Sequence, residues 1–65
     1  MLINILTGKQ IRLPEPTIAT CETSYGGAYA WMMDYGDYRT YSDSRADAKP
    51  DMQACLIFEG VAANI

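Results

Sequence analysis

Residues 28–42 read Ala28-Tyr29-Ala30-Trp31-Met32-Met33-Asp34-Tyr35-Gly36-Asp37-Tyr38-Arg39-Thr40-Tyr41-Ser42, and the Gly36-Asp37 pair at their centre decides the fold. Two β-prone runs flank a dipeptide that tolerates the positive φ of a tight turn, which is a hairpin signal. With those two residues as the loop, Tyr35 faces Tyr38, Asp34 faces Arg39, Met33 faces Thr40 and Met32 faces Tyr41. Side chains alternate across a strand. One face therefore carries Tyr29, Trp31, Met33, Tyr35, Tyr38 and Thr40. The other carries Ala28, Ala30, Met32, Asp34, Arg39 and Tyr41. A short helix over 28–34, capped by the glycines, is the competing reading.

Upstream, Thr17 to Thr23 is rich in β-branched and small residues and predicts a further strand. Gly26-Gly27 offers a second tight turn, and extending the register through it sets Ala19, Cys21 and Thr23 beside Ala30 and Met32. Pro14 and Pro16 separate this strand from an N-terminal hairpin, because proline removes a ladder donor and extends its predecessor. That hairpin comprises the apolar run Leu2 to Leu6, a turn at Thr7-Gly8-Lys9 and the alternating Gln10 to Leu13.

Downstream, Ser42-Asp43-Ser44 supplies cap oxygens for a helical turn from Arg45 to Lys49. Pro50 interrupts it and suits the first position of a second helix, which Gly60 ends. Two apolar sets lie on opposite sides of this segment: Ala54, Ile57, Phe58 and Val61, and Met52, Cys55 and Leu56. A strand from Ala54 to Phe58 is the alternative. The fold class is α+β: a small antiparallel sheet of three to five strands with one C-terminal helix and a short helical turn before it. Residues 1–65 form one compact domain.

A helix can cover only one face of such a sheet. If it covers the aromatic face, Trp31 and its neighbours are core. If it sits on the small face over Ala19, Cys21 and Ala30, the aromatic face is a binding surface, since Tyr and Trp dominate interface hot spots. Five tyrosines between Tyr25 and Tyr41 are more phenols than a thin core satisfies, so several hydroxyls reach water or a partner.

At 65 residues a chain buries only about 60% of its unfolded surface, and a stability of roughly 3–5 kcal/mol is expected. Dimerisation is one remedy. The net charge of −3 opposes binding driven by phosphate contacts. All of the excess lies after Met33, in Asp34, Asp37, Asp43, Asp47, Asp51 and Glu59 against Arg39, Arg45 and Lys49, which points to a basic partner. No basic segment followed by an apolar one opens the chain, and no run reaches the ~18 apolar residues of a membrane span. A cytoplasmic location follows, with Cys21 and Cys55 expected to be buried, reduced and structural.

Catalytic signatures are missing. The chain has no histidine, hence neither the commonest general base nor the commonest transition-metal ligand. Cys21 and Cys55 make no CxxC pair and have no basic neighbour in sequence. Asp34 with Asp37, and Asp43 with Asp47, read as a solvated acidic face. No phosphate-binding glycine loop or nucleophile elbow appears. The expectation is a non-catalytic protein-binding module with no cofactor and no metal. Its contact residues are Tyr29, Trp31, Tyr35, Asp37, Tyr38, Tyr41 and Asp43, and its partner is a larger protein with a basic surface. In size, acidity and want of catalytic residues the chain resembles the small accessory proteins of phages and mobile elements, including inhibitors of host defence or transcription. That resemblance carries no residue assignments. Two other classes stay open: a single-stranded nucleic-acid-binding module using a Tyr/Trp sheet face, and a homo-oligomeric structural component that buries Ala54 to Val61 between subunits.

Overall fold

A computed structural model describes the backbone of residues 1–21 and 28–65 and the side chains of 1–19 and 31–65. The order of elements is β1 (Leu2–Asn4), β2 (Thr17–Cys21), β3 (Ala28–Tyr35), β4 (Tyr38–Ser42), α1 (Arg45–Phe58) and β5 (Ala62–Asn64). They form two antiparallel sheets, one of order β2-β3-β4 and one pairing β1 with β5. The fold is α+β.

The central hairpin has the expected register, with Tyr35 opposite Tyr38, Asp34 opposite Arg39, Met33 opposite Thr40 and Met32 opposite Tyr41. Gly36 takes a φ of +58°, a conformation that costs an L side chain about 1 kcal/mol or more. Residues 28–34 are strand, not helix. α1 packs over β3 and β4 on the aromatic face. Met33 is almost fully buried there, and Trp31, Tyr35 and Tyr38 pack around it.

The register of β2 differs from the expectation. A two-residue loop at Gly26-Gly27 would set Cys21 against Met32. Instead Thr17 stands opposite Met32, Ala19 opposite Ala30 and Cys21 opposite Ala28. The shift is four residues, an even number, so by register the same residues share each face; packing demands that parity more strongly than it demands a particular loop. The Gly26-Gly27 turn itself, with Thr23 and Tyr25, lies outside the described residues.

The N-terminal hairpin is reduced to one bridge, Ile3 with Gln10. Asn4 stops β1 early: its Oδ1 accepts from the backbone N–H groups of Leu6 and Thr7, at 2.9 and 3.2 Å, which turns the chain. Leu6 is left 84% exposed. β1 pairs chiefly with β5, a strand that the sequence does not announce. Beyond β5, the N–H of Ile65 donates to Met1 O at 2.8 Å.

The helix is continuous through Pro50, so the expected break does not occur. Pro50 and Ala46, four residues before it, are both exposed, and water can satisfy the Ala46 carbonyl that proline leaves without a donor. Gly60 ends the helix at φ +75°. Its N–H donates to Ile57 O and that of Val61 to Leu56 O, the paired bonds of a Schellman cap. Ala48, Met52 and Leu56 form the buried stripe at spacing i, i+4, i+8, joined by Leu2, Ile11, Met33 and Ala62. A single core therefore serves both sheets, and each fully buried Met or Leu contributes about 1.5–3 kcal/mol. Cys55 is a free thiol and half-buried rather than buried; the side chain of Cys21 lies outside the described residues.

Candidate functional site

The expected contact residues divide between two faces. Trp31, Tyr35 and Tyr38 lie together on the helix side, each half-buried against the core. Tyr41 is on the outer face, 51% exposed, next to Met32, Asp34 and Arg39 by register. Asp37 is exposed in the hairpin turn and Asp43 between β4 and α1. Tyr29 pairs with Thr20 in the backbone; its side chain is not among those described. On the outer face Arg39 is committed to Asp34 through Nε–Oδ1 and Nη2–Oδ2 bonds of 2.6 and 3.2 Å. That hydrogen bonding holds the Asp34 carboxyl below its ordinary value.

A second surface is not evident from the sequence. Among the described residues eight large apolar side chains are exposed, and six of them (Met1, Ile5, Leu6, Ile57, Phe58 and Ile65) belong to β1, β5, their flanks and the end of α1. Pairing of β1 with β5 puts Leu2 and Ala62 inward and Ile3 and Ala63 outward. The outer side of this ribbon then continues through Ile5, whose N–H donates to Val61 O at 2.9 Å. The alternation of Met1, Ile3 and Ile5 is a signal for it, but an apolar run of this kind reads equally well as a buried strand.

One exposed flank of α1 carries Asp47, Asp51, Ala54 and Phe58, spaced i, i+4, i+7, i+11 and thus aligned on one stripe; all four are exposed. Phe58 is 87% exposed. The stripe is acidic at its start, where the helix dipole favours carboxylates, and apolar at its end. Asp47 accepts from Ser44 Oγ at 2.9 Å, and Asp51 accepts from Ser42 Oγ.

Across the helix, a shallow cavity of about 410 Å³ is lined by Glu15, Pro16, Arg45, Ala46 and Lys49. Glu15 accepts from Arg45 Nη2 at 2.9 Å and from Lys49 Nζ at 3.1 Å. The hydrogen bond from Lys49, then its charge, lowers the Glu15 pKa. The Arg45 guanidinium stands 6.0 Å from the Trp31 ring centre, within cation–π range.

No family model, curated protein or solved structure matches this chain. Among the described residues no three of Asp, Glu and Cys gather as a metal site would require, and no helix is long and apolar enough to cross a membrane. The described residues bring together an acidic-to-apolar helix stripe, an apolar ribbon face and a groove lined by two cations and one carboxylate.

Proposed function

We propose that this chain is a small, non-catalytic protein-binding module, an inhibitor or adaptor that presents the exposed Asp47–Phe58 flank of α1 to a larger protein. The observation that carries the reading is Phe58, an aromatic side chain 87% exposed at the end of the stripe that begins with Asp47 and Asp51. A free phenylalanine is a desolvation anchor, and carboxylates two to three turns away steer a basic surface into register. Asp43 extends the acidic end. The partner is then a protein with an apolar pocket beside a basic patch. Where that patch is a nucleic-acid site, the module inhibits by covering it. The nucleic-acid reading has less support: Trp31, Tyr35 and Tyr38 are turned toward the helix, and Arg39 is held by Asp34.

The test is affinity capture from nuclease-treated native lysate with the wild-type chain and with Phe58→Ser. One dominant protein held by the wild type and lost by a folded Phe58→Ser supports the reading. Equal capture by both removes it. The apolar outer side of the β1/β5 ribbon favours a second reading, self-association. Sedimentation velocity of wild type and Ile5→Glu decides it: a wild-type dimer that Ile5→Glu converts to monomer moves the homo-oligomer ahead.

A further inference from the structure

The cationic groove lies beside an open sheet edge, and the two together suit a ligand that the α1 stripe does not. Among the described residues β2 has β3 on one side and no strand on the other. Thr17–Cys21 carries no charge and no proline, two of the devices with which natural edge strands block pairing. Ile18 stands opposite Trp31, so both point to the helix side of the sheet. Trp31 is half-covered beneath Arg45, whereas Ile18 is 60% exposed. Pro16, directly before the edge strand, and Arg45, Ala46 and Lys49 on the first two turns of α1 line the groove.

We propose that this groove binds an extended peptide segment carrying an acidic side chain, added to β2 as a fourth strand. Main-chain hydrogen bonds to the open edge supply affinity, and alternate side chains of the added strand supply specificity. Those that project to the helix side meet Ile18 and the edge of Trp31. The next such position along the strand, about 7 Å away, lies toward Pro16, which lines the groove with Arg45 and Lys49. Two cations there share one carboxylate, Glu15, and all three side chains are exposed. A ligand carboxylate completes the second ion pair or displaces Glu15. This surface and the Asp47–Phe58 stripe lie on different sides of α1, so the inference goes beyond the preceding reading and fails or stands independently of it.

The probe is a random dodecamer peptide library displayed on phage and panned against the full chain. The best enriched sequence is then made as a synthetic peptide and titrated by fluorescence anisotropy. The expected consensus is one Asp or Glu flanked by alternating β-branched residues. Lys49→Glu should weaken the synthetic peptide roughly tenfold or more, and Glu15→Gln should tighten it several-fold, by the magnitudes usual for close charge pairs. Both positions are exposed, and circular dichroism is the check that the variants fold. The bound peptide should slow amide exchange over Thr17–Ala19 and shift the Trp31 indole resonance. No consensus, a basic consensus, or an acidic peptide indifferent to Lys49→Glu overturns the proposal. So does a dimer whose amide protection maps to β2, because a second copy then occupies the edge.

Discussion

Ser42 Oγ donates a hydrogen bond to the carboxylate of Asp51, tying the last residue of β4 to the first half of α1. Ser42 is 5% exposed and is the one buried polar residue among those described. The hydroxyl of Thr40, two positions earlier on the same face, is buried with no partner among the described residues. Among the described residues, one side-chain hydrogen bond set in apolar contacts thus ties the helix to the sheet.

Removing either end of that bond should destabilise the chain, and unequally. A hydrogen bond to a charged group is worth about 1.5–3 kcal/mol. Ser42→Ala loses it but leaves Asp51 free to meet water. Asp51→Ala strands a buried hydroxyl and should cost more. The double variant should fall short of the sum, since both changes delete one interaction. Thermal denaturation checks this, because each kcal/mol moves the midpoint of so small a domain by about 4–8 °C. Strict additivity would mean that the bond contributes nothing.

The two apolar sides of α1 should respond in opposite ways to truncation. Leu56 has no exposed surface, and Leu→Ala at such a site costs about 2–5 kcal/mol. That approaches the whole stability of roughly 3–5 kcal/mol expected for this size, so Leu56→Ala should be marginally stable, with a substantial unfolded fraction at room temperature. Phe58→Ser should stay within about 0.5 kcal/mol of wild type. Urea denaturation followed by circular dichroism reads both. Similar losses at the two positions would show that Phe58 is covered, by self-association or by another part of the chain.

The Gly36-Asp37 hairpin is legible residue by residue because a two-residue loop admits one register, and the Asp34–Arg39 pair then follows by counting. The face covered by α1 is not legible in that way. Both faces offer apolar side chains, and the choice depends on burying Met33 and Trp31 together with Met52 and Leu56, which only three-dimensional packing compares. Pro50 misleads for a different reason: its local preference for a helix start is overridden once Ala48, Met52 and Leu56 share one core. β5 escapes notice because Ala62, Ala63 and Asn64 have little strand propensity and are strand only through β1. The division of the aromatic candidates between two sides follows from the register, with Trp31, Tyr35 and Tyr38 on one and Tyr41 on the other, but which side is covered, and the exposure of Leu6 and Phe58, depend on where the helix lands.

Two carboxyls should titrate low, each for a nameable reason. Carbon-13 NMR should place the Asp34 midpoint below 3.8 and return it toward that value in Arg39→Gln. For Glu15 the midpoint should lie below 4.5 and rise more in Lys49→Gln than in Arg45→Gln, since Lys49 is the larger cause. A pKa that is lower in the folded state adds stability above the unfolded value and loses it as pH falls through the folded one. Stability should thus decline as acid pH drops from the ordinary carboxylate range into the lowered values. Both groups are exposed, so the decline is small and shrinks in high salt. A Glu15 midpoint unmoved by Lys49→Gln would dissolve the ion pair on which the groove depends.

Pro50→Ala should stabilise the protein. Proline inside a helix removes one N–H donor and crowds the carbonyl four residues back, here that of Ala46, a penalty of up to about 3 kcal/mol relative to alanine. Pro50 is exposed, so it has no buried packing to forfeit, and the substitution restores an N–H that can donate to the Ala46 carbonyl. Against this stands the entropy proline removes from the unfolded chain, roughly 0.4–1 kcal/mol. The helix penalty outweighs that entropy. The melting temperature should therefore rise by several degrees, with slower amide exchange in the first turns of α1. A lower melting temperature would mean that the helix is already relaxed around Pro50, and that the proline's restraint on the unfolded chain is the stronger effect.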